Sequence, residues 1–414
     1  MELLSLSGQL PLDIRLFYEG KGGCPEEEDV EVFRPFAQYL NKCSLRWHTL
    51  VLDLASPFLE LIQEEETPNG MHCLSVRCTG GSCYLLDITR SAPTQLLLNR
   101  GVILGRDLQW GKMTVFHAER FCLEEIIRIL EAAPHVECCR LDQVSFRWPW
   151  DPSQQCVTPL ALTDLDINFS SSDAARHFFN HFTLPSLTSF RSNFTSWQFA
   201  DTSFIPFLQR SNCSFKLLEL RHVEVDNTDV LELLRYATPS LRSLCISVEA
   251  ATDGTRQCSL IDNLNELFSA HLTLDDSCRR PVSVEPILPY LTTFKLSMDA
   301  VWAVIYNRQK ERKVIPPKLD KLIPGLFAPS ARNEHLPLRP LHLVEIICGP
   351  FERTEAELPL LNKDSLDYIS QLRRGGIEID LKALIWKGCH EISATDLCEL
   401  SQEVEGEGSD VERV

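Results

Sequence analysis

The stretch Leu241-Arg242-Ser243-Leu244-Cys245-Ile246 decides the fold. Apolar residues hold its first, fourth and sixth positions, and the last three positions alternate as in a strand with one buried face. The same form recurs at Trp47/Leu50/Leu52, Met71/Leu74/Val76, Pro93/Leu96/Leu98, Met113/Phe116/Ala118 and Val136/Cys139/Leu141. It continues at Leu162/Leu165/Ile167, Leu187/Phe190/Ser192, Phe215/Leu218/Leu220, Leu291/Phe294/Leu296 and Leu341/Val344/Ile346, with weaker matches at Pro11/Ile14/Leu16 and Arg374/Ile377/Ile379. From Trp47 to Leu241 the first positions recur at steps of roughly 20–28 residues, within the leucine-rich-repeat range. The next two steps, Leu241 to Leu291 and Leu291 to Leu341, are about twice that period. They read as two repeats each, with one strand of each pair not recognised.

Helix-like stretches fill the gaps. Leu123, Ile126, Ile127 and Leu130 share one helical face, and so do Val230, Leu233, Leu234 and Ala237. Pro134, Pro185, Pro239 and Pro289 each stand just before the next repeat begins. Proline cannot continue a helix and biases its predecessor towards extended geometry, so it ends the helix and launches the strand. The predicted fold is α/β, a leucine-rich-repeat-like solenoid of strand–loop–helix units of about 20–28 residues. Its curved parallel sheet carries helices on the outer side, because one unit cannot bury its apolar face without neighbours. The predicted boundaries are a solenoid over 1–390, with a basic, proline-rich insertion at 308–340 read as a long surface loop that can carry a short helix, and an acidic disordered tail at 391–414.

Composition fits this reading. Of 414 residues, 62 are leucine and only 18 glycine, as a ladder of core leucines with few special turns requires. The formal charge of −18 argues against nucleic acid and anionic membrane as partners. No apolar run reaches the length of about 18 residues that a membrane span needs. Met1 to Leu6 carry neither a basic region nor a long apolar run, so no signal peptide is read there. The 16 cysteines are scattered over the chain and are expected as reduced thiols of a cytoplasmic or nuclear protein.

The segments Ser7 to Leu16 and Leu45 to Leu52 carry a family resemblance, joined by Leu108-Gln109-Trp110, Leu123 to Val136, Leu184 to Phe190, Asp229 to Leu244 and Leu372 to Ile377. Together they resemble the leucine-rich-repeat-like region that follows the F-box in a large group of F-box proteins from mushroom-type fungi. The resemblance covers roughly residues 5–385. It implies a non-enzymatic protein-interaction module, the substrate-recognition region of an F-box-type ubiquitin-ligase receptor, with a protein target as partner. Leu10 to Phe17 mimic the opening of an F-box, yet Gly20 to Asp29 would interrupt its helices and Arg46 to Leu54 alternate like a strand. The F-box is therefore expected to be absent, and a Skp-type adaptor is a partner only if an F-box stands upstream. A repeat scaffold without a ligase link is the alternative.

Enzymatic motifs are missing: no P-loop, dinucleotide fingerprint, nucleophile elbow or HExxH pattern occurs, and no catalytic residue, metal ligand or cofactor is predicted. Asp173, His177 and His181 follow one another at i, i+4 spacing on one helical face, the nearest approach to a metal site and to a metal-dependent hydrolase. Phe178 occupies the place where a metalloprotease needs its glutamate, so a solvated helix face is the preferred reading. Cys73, Cys78 and Cys83 read as core and turn cysteines, and the neighbours Cys138 and Cys139 as residues on opposite strand faces.

Recognition is left to the surface. The third, fifth and seventh residues of each repeat point away from the core, and the fifth positions read Arg140, Asp166, Arg191, Glu219, Cys245 and Lys295. Arg140, Asp166, Arg191 and Glu219 are candidate partner-binding residues in a polar groove; the competing reading is a solvated face with weak ion pairs. Arg147, Trp148, Trp150, Trp197 and Phe199 follow two of the strands directly and are the second candidate set, since Trp and Arg dominate interface hot spots. The alternative for them is packing under the rim.

Overall fold

The computed structural model describes residues 8–18, 25–66, 70–79, 84–86, 91–99, 102–104, 108–146, 156–193, 203–221, 233–234, 240–249, 264, 288–299, 319–327, 329–330, 333–337, 340–351, 361–387, 391–399 and 401. The chain forms two compact units, Met1–Leu187 and Thr188–Val414.

In the first unit, strands β1 (Leu12–Phe17), β2 (Trp47–Ala55) and β3 (Cys73–Thr79) are followed by β4 (Tyr84–Leu86), β5 (Gln95–Asn99), β6 (Val102–Leu104), β7 (Val115–Glu119), β8 (Cys138–Val144) and β9 (Asp164–Phe169). The main sheet has the open order β1-β2-β3-β5-β7-β8-β9 with every neighbouring pair parallel, while β4 and β6 form a separate parallel pair. Helices α1 (Glu27–Lys42), α2 (Ser56–Leu59), α3 (Leu123–Ala132) and α4 (Ser172–His181) lie in the connections and after β9.

The second unit contains β10 (Ser189–Asn193), β11 (Leu217–Arg221), β12 (Ser243–Glu249), β13 (Thr293–Asp299), β14 (Pro329–Ser330), β15 (Asn333–Pro337), β16 (Leu343–Phe351), β17 (Glu378–Lys387) and β18 (Glu391–Asp396). Its sheet runs β10-β11-β12-β13-β16-β17-β18, parallel except for the antiparallel closing pair β17/β18. Its helices are α5 (Phe204–Ser211), α6 (Leu319–Leu326) and α7 (Lys363–Arg374). Each unit is thus α/β, built on a mostly parallel open sheet.

The apolar ladder places the core. Leu50, Leu74, Leu96, Phe116, Cys139 and Leu165 in the first unit, and Phe190, Leu218, Leu244, Phe294 and Val344 in the second, are fully buried or nearly so. Each large apolar side chain among them contributes roughly 1.5–3 kcal/mol relative to an exposed one. Helix α3 buries Leu123, Ile126, Ile127 and Leu130, the face predicted from their spacing. Its start is fixed because the Glu125 carboxylate accepts the backbone N–H of Cys122 at 3.1 Å.

A second ladder sits one position after the start of each repeat. The carbonyl oxygens of Thr94, Thr114, Glu137, Thr188, Lys216, Arg242 and Thr292 each accept two consecutive backbone N–H groups from the following repeat. Threonines at this position add a side-chain bond: the Oγ1 atoms of Thr94, Thr114, Thr163 and Thr292 donate to His72 O (2.8 Å), Thr94 O (3.3 Å), Glu137 O (3.1 Å) and Arg242 O (3.0 Å). These bonds lock each strand's entry to its neighbour before the pleated ladder begins.

Four expectations are corrected. The two long steps insert no further strand into the main sheet: β12 pairs directly with β13, and β13 directly with β16, residue for residue from Thr293↔Leu343 to Asp299↔Gly349. These units exceed the predicted period because long segments are inserted between strands that keep their register. Within the 308–340 insertion the short helix allowed for is present as α6, but it is not on the surface: Leu319, Leu322, Ile323, Leu326 and Phe327 are buried on and beside it. The match Arg374/Ile377/Ile379 is out of register by two positions, since Val344 pairs with Ile379 and Ile346 with Leu381. The cause is the end of α7, where Gly376 takes φ +88° and the N–H groups of Gly376 and Ile377 bond to Arg373 O and Leu372 O. That is a left-handed helix stop, so Arg374 belongs to the helix.

The acidic tail does not begin at 391. Residues Glu391–Asp396 form β18, and Leu397 and Cys398 behind it are buried. Ser401 Oγ accepts the N–H of Leu361 at 3.0 Å and donates to Leu397 O at 2.7 Å. The Arg373 guanidinium lies 3.3 Å from Asp396 and donates to Ile379 O at 2.8 Å. An acidic composition in this segment therefore conceals a strand that covers β17.

Candidate functional site

Strand pairing turns the fifth repeat positions into a column on the exposed sheet face of each unit. In the first unit it runs Arg15↔Val51↔Ser75↔Leu97↔His117↔Arg140↔Asp166. In the second it runs Arg191↔Glu219↔Cys245↔Lys295↔Glu345↔Asp380. The four candidates Arg140, Asp166, Arg191 and Glu219 all occupy this column, two in each unit. The members Val51, Ser75, Leu97 and His117 were missed by the sequence reading, although the same fifth position of the earlier repeats marks them.

The two faces are built differently. In the first unit the Arg140 guanidinium stands 3.8 Å from Asp166, and Arg77 lies 4.0 Å from Asp53 and 3.6 Å from Glu119. None of these distances is a hydrogen bond. The side chains of Arg77 and Arg140 are 58% and 65% exposed. Between them the face dips into a hollow of about 280 Å³, lined by Arg77, Leu97, His117, Glu119, Arg140 and Asp142 among others. Two of its acids have further partners: Glu119 faces Arg120 at 3.6 Å, and Asp142 Oδ1 accepts the Asn168 amide at 2.8 Å. Burial, and then the neighbouring Arg140, hold His117 below the ordinary imidazole range against an upward pull from Asp166.

In the second unit the charges close on each other. Glu219 lies 3.5 Å from Arg191 and 2.5 Å from Arg221, Lys295 donates to Glu345 at 2.5 Å, and Lys382 to Asp380 at 2.5 Å. Cys245 lies between Glu219 and Lys295 in the column, and burial followed by the Glu219 charge pushes its thiol up to about 11. This thiol is protonated at neutral pH and is a poor nucleophile.

The histidine face of α4 is committed to other contacts. The His177 ring stacks on Phe146 with centroids 3.9 Å apart, His181 Nδ1 lies 2.8 Å from His177 O, and Asp173 pairs with Arg176 at 2.9 Å. Burial, and then His181, lower the His177 pKa. Among the described residues no group of three or more His, Cys, Asp or Glu side chains has a metal-holding arrangement. Cys73 is half-buried and Cys78 buried; Cys138 is half-buried beside a buried Cys139, and none of the described cysteines is in a disulfide.

The aromatic candidates Arg147, Trp148, Trp150, Trp197 and Phe199, and the basic run of the insertion at 308–313, lie outside the described residues, as does Cys83. No helix among the described residues is long and apolar enough to cross a membrane. No family model, no curated protein and no solved structure matches this chain.

Proposed function

We propose that this chain is a non-enzymatic protein-interaction module, a leucine-rich-repeat-like solenoid that holds a protein target against its exposed sheet face. The observation that carries the reading is the register-locked column of mostly polar side chains, repeated strand after strand in each unit. A rigid parallel ladder presents such a column without further ordering cost, which is how repeat folds make extended binding surfaces. The resemblance to F-box-associated repeats extends the proposal: the target is a ubiquitin-ligase substrate, and an adaptor of the Skp type brings the ligase. Binding and positioning are then the whole mechanism, and no bond is made or broken by the chain itself. A scaffold without the ligase link shares the same face and differs only in the adaptor.

The test places a photo-crosslinking amino acid at Leu97 and at Lys295, on the face, and at Glu131, on the exposed side of α3. The proposal expects a partner protein joined from the face positions and not from Glu131. Equal capture from all three positions would sink it. Purified Skp-type adaptor retained by the chain together with that partner supports the ligase reading, and retention of the partner alone supports the scaffold.

A further inference from the structure

The hollow of the first unit brings two open arginines of the described face to one concavity. Among the described residues, Arg77 and Arg140 reach it with no hydrogen-bond-length partner: their nearest carboxylate oxygens stand 3.6–4.0 Å away. A guanidinium carries five N–H donors in a rigid fork that matches a carboxylate. Other arginines are met at hydrogen-bond length, as where Arg221 meets Glu219 at 2.5 Å or where Arg373 donates to Ile379 O at 2.8 and 3.1 Å.

We infer that the hollow between Arg77 and Arg140 is a recognition pocket for a single peptide carboxylate, which takes the vacant guanidinium donors. The inference rests on the reading of the sheet face as a protein-binding surface and names the chemistry of what that face reads. Size supports it: about 280 Å³ admits one short side chain or chain end and no folded element. The lining supports a monoanion. Glu119 and Asp142 border the same hollow and repel any anion, so a group of higher negative charge is repelled more strongly than one carboxylate held between two guanidinium groups. Leu97 supplies an apolar strip for the methylenes next to the carboxylate, and His117 sits between the arginines' strands in the column. An acidic side chain and a free C-terminus present the same chemistry.

The probes are random heptapeptides displayed in two formats, one with a free C-terminus and one with the C-terminus fused, selected on the full chain. The inference expects enrichment of Asp or Glu in the fused format if a side chain is read, or recovery only of free C-termini if a chain end is read. Selected peptides should lose affinity about ten- to a hundred-fold on Arg77→Gln or Arg140→Gln. Arg140→Lys should restore only part of it, because lysine keeps the charge and loses the fork. Binders that lack carboxylates, or that are indifferent to both glutamine variants, overturn the pocket and leave the face as a protein-binding surface. No binders in either format also overturns the pocket, while the crosslinking at Leu97 and Lys295 judges the face independently.

Discussion

The two units use one strand pattern and differ in what surrounds it. From β2 to β9 the first unit's repeats follow each other at roughly 20–26 residues, the ordinary leucine-rich-repeat spacing. By contrast β12, β13 and β16 of the second unit begin at Ser243, Thr293 and Leu343, about twice as far apart. Pairing nonetheless runs straight through the long steps without a slip at Thr293–Asp299. The strands therefore set the register and the connections merely permit it. Doubling a connection's length costs only about 0.6 kcal/mol in closure entropy. Burying a single Leu or Phe contributes several times that. The faces show the opposite contrast: the second unit closes its charges on one another, and the first leaves two arginines open beside a hollow.

The largest effect that separates these views is a core truncation on each side. Phe116 in β7 is fully buried among short connections, and Phe294 in β13 is fully buried between two long ones. Either change to alanine should cost about 3–5 kcal/mol, read as the shift of the urea transition followed by circular dichroism. Equal costs support a ladder that ignores connection length. A cost for Phe294→Ala below half that for Phe116→Ala would mean that the long insertions have loosened the second sheet.

The strands were legible because alternation is local: two apolar residues two apart behind a third leave little choice of face, and Leu244 and Ile246 are both fully buried as read. The count of repeats was not legible, because the long steps were divided by the period on arithmetic alone, while only pairing can tell an insertion from a repeat. Gly375-Gly376 misled the last repeat for a different reason. Apolar Ile377 stands near enough to Ile379 to imitate the motif, and the helix stop that excludes it is a backbone event. Of the site, the column from Arg140 onward could be read from the period. The open state of Arg77 and Arg140 could not, since a gap of 3.6 Å in place of a hydrogen bond has no signature in sequence.

The threonine ladder gives a smaller, local comparison. Thr114 Oγ1 donates across a short step and Thr292 Oγ1 across a long one. Valine keeps the β-branched shape and removes the donor, while each accepting carbonyl keeps its two backbone N–H groups. Thr114→Val and Thr292→Val should each destabilise by about 0.5–1 kcal/mol in the same urea titration. A Thr292→Val cost well above that range would mean that the long step depends on its side-chain bond, which the register argument denies.

The smallest effect tests the faces themselves. A double-mutant cycle on Lys295 and Glu345, each changed to alanine, should give a coupling of about 0.5–1 kcal/mol, because the pair is hydrogen-bonded at 2.5 Å yet Lys295 is 43% exposed and screened by solvent. The same cycle on Arg140 and Asp166, at 3.8 Å, should give about 0.2 kcal/mol or less. The pH dependence follows from the lysine. The hydrogen bond to Glu345 raises its pKa in the folded chain, with burial opposing. A base whose pKa is raised on folding contributes its stability in full below the unfolded value, so the coupling should persist through neutral pH. It should fade as pH climbs past the ordinary lysine range and through the raised folded value. Equal couplings in the two cycles would erase the difference between a closed face and an open one, and with it the reason to look for a ligand at Arg77 and Arg140.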